Sequence, residues 1–185
     1  MKTARGTRYV AAALVAVLGV AAAPGAAQAK PGDGWRMIER KTTGLVLGIS
    51  GSSDANGGKV IQWTKDIVGP DKQAAPNQDW LIVDRGNGYI SLRNAGTPDW
   101  KAMGVSGGRT DNGAPIIQWT YDTSNHDQQW KRVYLPNDTG FFQLKNRKSG
   151  KCLAIPGDSP NKGVQAIQYT CITYQLDQLW QWEDR

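Results

Sequence analysis

Three aromatic residues recur at one place in an internal pattern: Trp63, Trp119 and Tyr169. Each lies 15 positions after the middle of an apolar triplet, Leu47-Gly48-Ile49, Met103-Gly104-Val105 or Leu153-Ala154-Ile155. Downstream of each comes an amide or carboxylate followed by glutamine: Asn77-Gln78, Asp127-Gln128 and Asp177-Gln178. A flat ring with a few placed polar groups suits noncovalent binding, an apolar floor beside a polar edge. Groups for catalysis are scarce. A hydrolase needs paired carboxylates in a cleft, or a nucleophile beside a base, and here the acidic residues are scattered, mostly in turn segments. His126, the only histidine, sits in the loop Ser124-Asn125-His126-Asp127 and reads as a solvated loop residue. One His and two Cys argue against a histidine triad and a four-cysteine zinc site. No enzymatic activity, cofactor or metal is expected.

Rings that recur need a scaffold that recurs. Trp80, Trp130 and Trp180 close the three copies at a constant spacing of 50 residues. The units run roughly 35–85, 86–135 and 139–185. Within them apolar and polar residues alternate with a period of two, as in Trp35-Arg36-Met37-Ile38, Tyr89-Ile90-Ser91-Leu92 and Phe142-Gln143-Leu144-Lys145, which predicts half-buried strands. Further strands are expected at Leu45–Ile49, Lys59–Thr64 and Asp79–Val83, with counterparts in the other units. Turn sequences separate them, among them Gly51-Ser52-Ser53, Gly86-Asn87-Gly88, Asp111-Asn112-Gly113 and Pro156-Gly157-Asp158. No helical period is sustained, so the chain reads as all-β with about twelve strands. One unit cannot bury its own apolar face, so the three must pack together. Closure into a barrel removes exposed edges. Trp80, Trp130 and Trp180 alternate with apolar residues and are expected in the core.

Composition fits this picture. The chain has 185 residues, eight Trp, 22 Gly and a formal charge of +6. Residues 1–29 read as a cleavable secretory signal, rather than a membrane anchor: Lys2, Arg5 and Arg8, then an apolar run from Tyr9 to Ala23, then Ala27-Gln28-Ala29. Cleavage there leaves 156 residues, with 19 basic against 16 acidic side chains, a charge of +3. No basic cluster then argues for nucleic acid, and no second spanning run argues for a membrane. A secreted, extracellular monomer is expected.

Three units of about 50 residues, each ending in Gln-x-Trp with an upstream aromatic, resemble the ricin B-type lectins across residues 30–185. The resemblance implies a β-trefoil that binds carbohydrate, with Trp63, Trp119 and Tyr169 as the floors on which the apolar face of a pyranose rests. It places Asn77, Asp127 and Asp177 at the polar edges, with Gln78, Gln128 and Gln178 either donating to sugar hydroxyls or bracing the turns of their own repeats. It also implies a disulfide between Cys152 and Cys171, the alternative being two buried thiols. Closing a loop of about 20 residues contributes roughly 3 kcal/mol. The chain departs from the family at the triplet's middle, where an Asp normally accepts two sugar hydroxyls and Gly48, Gly104 and Ala154 stand here. Ile61, Ile117 and Ile167 replace a usual amide. Losing a charge-assisted bond of about 1.5–3 kcal/mol weakens a sugar site severely, unless Asp127 and Asp177 supply the carboxylate from the opposite wall, or Asp54, Asp111 and Asp158 approach from the loops. The first reading is therefore a lectin with up to three weak sites. The alternative is a trefoil with decayed sites that binds a protein, for example as a protease inhibitor. Trp100, in the turn Thr97-Pro98-Asp99-Trp100 where the third unit has Gly150, reads as either an exposed contact or a cap over the barrel end.

Overall fold

A computed structural model describes residues 34–136 and 140–183. The expected signal, residues 1–29, lies outside them. The first repeat supplies β1 (Trp35–Arg40), β2 (Val46–Ile49), β3 (Val60–Trp63), β4 (Ile67–Val68), β5 (Gln73–Ala74) and β6 (Trp80–Asp84). The second supplies β7 (Tyr89–Asn94), β8 (Ala102–Val105), β9 (Ile116–Trp119) and β10 (Trp130–Tyr134). The third supplies β11 (Phe142–Asn146), β12 (Cys152–Ala154), β13 (Ile167–Tyr169) and β14 (Trp180–Glu183). The described residues contain no α-helix, only short 3-10 turns.

The pairing closes on itself. β1 bonds β6, β6 bonds β7, β7 bonds β10, β10 bonds β11, β11 bonds β14, and β14 returns to β1, all antiparallel. Six strands thus form a barrel without a free edge. The hairpins β2–β3, β8–β9 and β12–β13 form a second layer. Each is tied to its neighbour through one glutamine's backbone. Gln62 bonds Gly163 and Val164, Gln118 bonds Gly57 and Gly58, and Gln168 bonds Gly113 and Ala114. This is the β-trefoil, with its threefold relation written into the hydrogen bonds.

The core lies where barrel and hairpins meet. Ile38, Leu92 and Leu144 from the barrel pack with Leu47, Met103 and Leu153 from the triplets and with Trp80, Trp130 and Trp180. The three indoles are fully buried. A buried indole N–H needs an acceptor, and each finds the carbonyl of the first triplet residue in its own repeat. Trp80 donates to Leu47 at 3.0 Å, Trp130 to Met103 at 3.1 Å and Trp180 to Leu153 at 3.2 Å. Gln-x-Trp and triplet are therefore two halves of one clamp.

Among the described residues fourteen strands stand where about twelve were expected. The additional pair, β4–β5, is a two-stranded ribbon in the first repeat. Trp63 and Trp80 are 17 positions apart, against 11 for the equivalent aromatics of the other repeats, and the ribbon occupies that excess. Cys152 and Cys171 form a disulfide, which ties β12 to the segment after Tyr169.

Candidate functional site

Each repeat builds one cleft between its hairpin and its Gln-x-Trp segment. In the first, Trp63, Ile61, Gly48, Ser50–Ser52, Asp66 and Asn77 line a space of about 420 Å³. In the second, Trp119, Ile117, Gly104, Gly107, Gly108, Asn125 and Asp127 enclose about 240 Å³. In the third, Tyr169, Ile167, Pro156–Asp158, Gln175 and Asp177 line about 450 Å³. The expected aromatics sit at the three mouths and remain open to solvent, Trp63 at 46%, Trp119 at 48% and Tyr169 at 42%.

The glutamines are placed differently from the rings. Gln78, Gln128 and Gln178 are almost fully buried, and both ends of each amide are held by backbone. Gln78 donates to the Thr64 carbonyl at 2.8 Å and accepts from the Asp66 N–H at 2.8 Å. Gln128 does the same with Thr120 and Asp122 at 2.8 and 2.9 Å. Gln178 repeats it with Thr170 and Ile172 at 2.9 and 3.1 Å. The glutamines brace: they clip the strand end carrying the aromatic to the Gln-x-Trp turn, and Gln78 and Gln128 also line their clefts. Gln178 does not line its cleft.

The polar edges come from the residue before each glutamine. Asn77 donates its amide to the Ile49 carbonyl at 3.2 Å, and its own carbonyl receives the Asn94 amide at 3.0 Å. In the second cleft Asn146 pins the Asp127 carbonyl at 2.7 Å. A Cβ added to Gly104 would stand 3.0 Å from Asp127 Oδ1, and one added to Gly108 would stand 2.9 Å from Asp127 Oδ2. The Asp127 carboxylate thus fills the space that both glycines leave. A side chain at position 104 and the carboxylate at 127 compete for one volume. Likewise, a Cβ at Gly48 would meet the Gln78 side chain at 2.9 Å and the Asn77 carbonyl at 3.2 Å. Asp127 is 8% exposed. Burial pushes its carboxyl above the ordinary carboxylate range, against the opposing pull of the Asn125 side chain and Lys148. Burial pushes Asp177 up as well, opposed by Gln175 and Arg40, and one of its carboxylate oxygens is buried with no hydrogen-bond partner.

The loop acids divide. Asp158 lines the third cleft and is ion-paired to the fully buried Arg40 guanidinium. Arg40 also donates to Gln62 at 3.1 Å and to the Ser159 carbonyl at 2.6 Å. Asp111 instead pairs with the exposed Arg109, and neither it nor Asp54 lines the clefts. Trp100 lines none of the three clefts and is 42% exposed.

Several contributors escaped the sequence reading. Asp66, Asn125 and Gln175 line clefts from the loop beyond each aromatic. Gln62, Gln118 and Gln168 each reach into the preceding repeat, the first repeat reaching round to the third, and hold the loop that follows that repeat's cleft-lining turn. Gln62 donates to Ser159 and Asn161 at 2.8 and 2.6 Å, Gln118 to Ser53 and Ala55 at 2.7 and 3.0 Å, and Gln168 to Arg109 and Asp111 at 3.0 and 2.9 Å. Their one sequence signal is recurrence immediately before each ring.

Residues 27–119 and 126–185 match the model of the ricin-type beta-trefoil lectin domain-like family. Among solved structures, the designed threefold-symmetric protein ThreeFoil is 29% identical, with a TM-score of 0.71 over 83% of this chain and 100% of its own. A ricin B-like lectin from Macrolepiota procera, solved with lactose, is 17% identical, with a TM-score of 0.63 over 82% of this chain and 95% of its own. An exo-β-1,3-galactanase from Clostridium thermocellum is 23% identical, with a TM-score of 0.71 over 84% of this chain but 31% of its own. No curated protein matches.

Proposed function

We propose that this chain, which belongs to the ricin-type β-trefoil lectin-like family, is a secreted, monomeric carbohydrate-binding protein that holds sugar without cleaving it. The observation that carries the reading is the second cleft. An exposed indole, Trp119, forms the floor, and a desolvated carboxylate, Asp127, stands at the place left by Gly104. A pyranose offers an apolar C–H face to the ring and a rim of hydroxyls to the carboxylate. The missing triplet acid is then a relocation of the acceptor to the opposite wall. The first cleft offers the neutral Asn77 in the same role. In the third, Asp177 is available and Asp158 is engaged by Arg40. The lactose complex of the Macrolepiota lectin is in keeping with a sugar ligand on this fold.

The three clefts are unequal in charge, so the second is expected to bind most tightly. Weak sites on one rigid body favour a polymer, through avidity. The test is affinity electrophoresis and pull-down on a panel of polysaccharides with residues 30–185, wild type and Trp119→Ala. Retention by the wild type and loss of most of it in the variant, with an unchanged thermal midpoint, is the expected result. No retention on any polysaccharide or on a glycan array ends the lectin reading.

A further inference from the structure

Trp100 occupies a position that the other repeats give to glycine. It precedes the strand residue pair Lys101-Ala102 as Gly44 precedes Leu45-Val46 and Gly150 precedes Lys151-Cys152. The same backbone bond confirms the equivalence: Asn94 donates to Lys101 as Arg40 does to Leu45 and Asn146 to Lys151. Gly44 and Gly150 have φ of 66° and 68°, and Trp100 has φ of 48°. That left-handed conformation is natural for glycine and strained for a bulky side chain. The second repeat also carries two extra residues here, since Asn94 and Ala102 are eight positions apart and the equivalents six. A strained backbone here carries a large exposed ring, and such strain gathers at ligand contacts.

The ring is held rather than loose. Trp35 packs edge-on against it, with centroids 5.6 Å apart. Arg93 lies 5.3 Å from its centroid and donates to the Trp100 and Asp99 carbonyls at 2.8 and 2.9 Å. The same guanidinium lies 4.4 Å from the centroid of Tyr121, two residues beyond the floor of the second cleft, and Trp119 pairs across the hairpin with Ala102. Arg93 thus bridges Trp100 to Tyr121, on the strand end that carries Trp119.

Resting on the carbohydrate reading of the second cleft, we infer that Trp100 is an additional stacking subsite for a further sugar residue of the chain bound at Trp119. Trp100→Gly tests this cleanly, because glycine suits the backbone. Affinity electrophoresis on the polysaccharide that wild type retains best is compared for wild type, Trp119→Ala, Trp100→Gly and Trp100→Phe, alongside thermal midpoints. One lost stacking contact predicts binding roughly three- to tenfold weaker in Trp100→Gly. Its midpoint is expected to be unchanged or higher, and Trp100→Phe should keep most of the affinity. Affinity within twofold of wild type in Trp100→Gly overturns the subsite, and so does a midpoint that falls together with affinity, which makes Trp100 a cap. If wild type binds and only Trp119→Ala weakens it, the subsite fails while the lectin reading stands. If wild type binds no polysaccharide, the lectin reading itself has failed.

Discussion

The contest between position 104 and Asp127 can be turned into a measurement. Gly104→Asp puts an acid where the family normally keeps one. In this chain its Cβ would meet Asp127 Oδ1 and the Gln128 side chain, each at 3.0 Å. That distance forces something to shift, and overpacking of this kind costs about 1–3 kcal/mol. Two carboxylates sharing one pocket also resist joint ionisation, which raises one of their pKa values. Gly104→Asp is therefore expected to be less stable than wild type and no better a binder at neutral pH. Asp127→Asn should do the reverse. It removes a carboxylate whose burial disfavours its charged form, so stability holds or rises slightly. It also removes the charge from the acceptor, at a loss of about 1.5–3 kcal/mol in binding, roughly tenfold to a hundredfold. The double variant restores one acid on the other wall. Its stability loss should be smaller than the sum of the single changes, with a coupling of 0.5 kcal/mol or more, as for groups in contact. Urea denaturation gives the stabilities and affinity electrophoresis the binding. Additive stabilities would refute the claim that the two acids share one pocket, and full affinity in Asp127→Asn would refute Asp127 as the acceptor.

Other outcomes follow from the same contacts. Trp130→Ala should destabilise by about 3–5 kcal/mol in chemical denaturation, since it empties the core and orphans the Met103 carbonyl. Gln118→Ala should loosen the first cleft, since it holds the Ser53–Ala55 loop that follows the cleft-lining turn, so that binding at Trp63 weakens although Gln118 adjoins Trp119; hydrogen exchange of the Ser53–Ala55 amides reads this directly. Reduction of Cys152–Cys171 should cost roughly 3 kcal/mol and should disturb the Tyr169 cleft before the other two, as read by urea denaturation with and without reductant. On acidification, binding at the second cleft should fade at a pH above 3.8, the ordinary value for Asp, because burial raises the Asp127 pKa. The sign for stability is opposite: a raised carboxyl pKa favours the folded state at low pH, and that contribution is lost as pH rises through the folded-state value. Asp127→Asn should remove both effects.

What recurred with fixed spacing was legible before the structure. The ring positions, the core tryptophans and the threefold plan follow from the 15- and 50-residue intervals, because pseudo-symmetry repeats each local signal three times. The β4–β5 ribbon was hidden, since Ile67-Val68 and Gln73-Ala74 are each two residues long and have no counterpart to reinforce them. Gln62, Gln118 and Gln168 were visible as residues but mute as to role. Their partners lie in another repeat, and the sequence order says nothing of which hairpin abuts which loop. Asp127 was nameable as a replacement acceptor. That it and Gly104 share one volume is a fact of packing across two segments more than twenty residues apart.

The scaffold is symmetric and the clefts are not, and the hydrogen bonds explain how both hold. Residues whose polar atoms are consumed by backbone, such as Gln78, Gln128 and Gln178, recur without change because any substitution would orphan buried carbonyls and N–H groups. Residues that present a group to the cleft mouth carry no such debt and have diverged. Position 52 and its equivalents show this best. All three keep a left-handed backbone, with φ of 49°, 59° and 52°, yet they are Ser52, Gly108 and Asp158. Serine leaves the first cleft neutral. Asp158 is drawn to Arg40, a residue that stands where the other repeats have Asn94 and Asn146. Glycine leaves room in the second cleft for both Asp127 and the Lys148 ammonium, each of which a Gly108 Cβ would meet. A single change at one strained position thus redistributes charge across a cleft without touching the clamp beneath it. Specificity can drift independently in each repeat while the fold stays fixed.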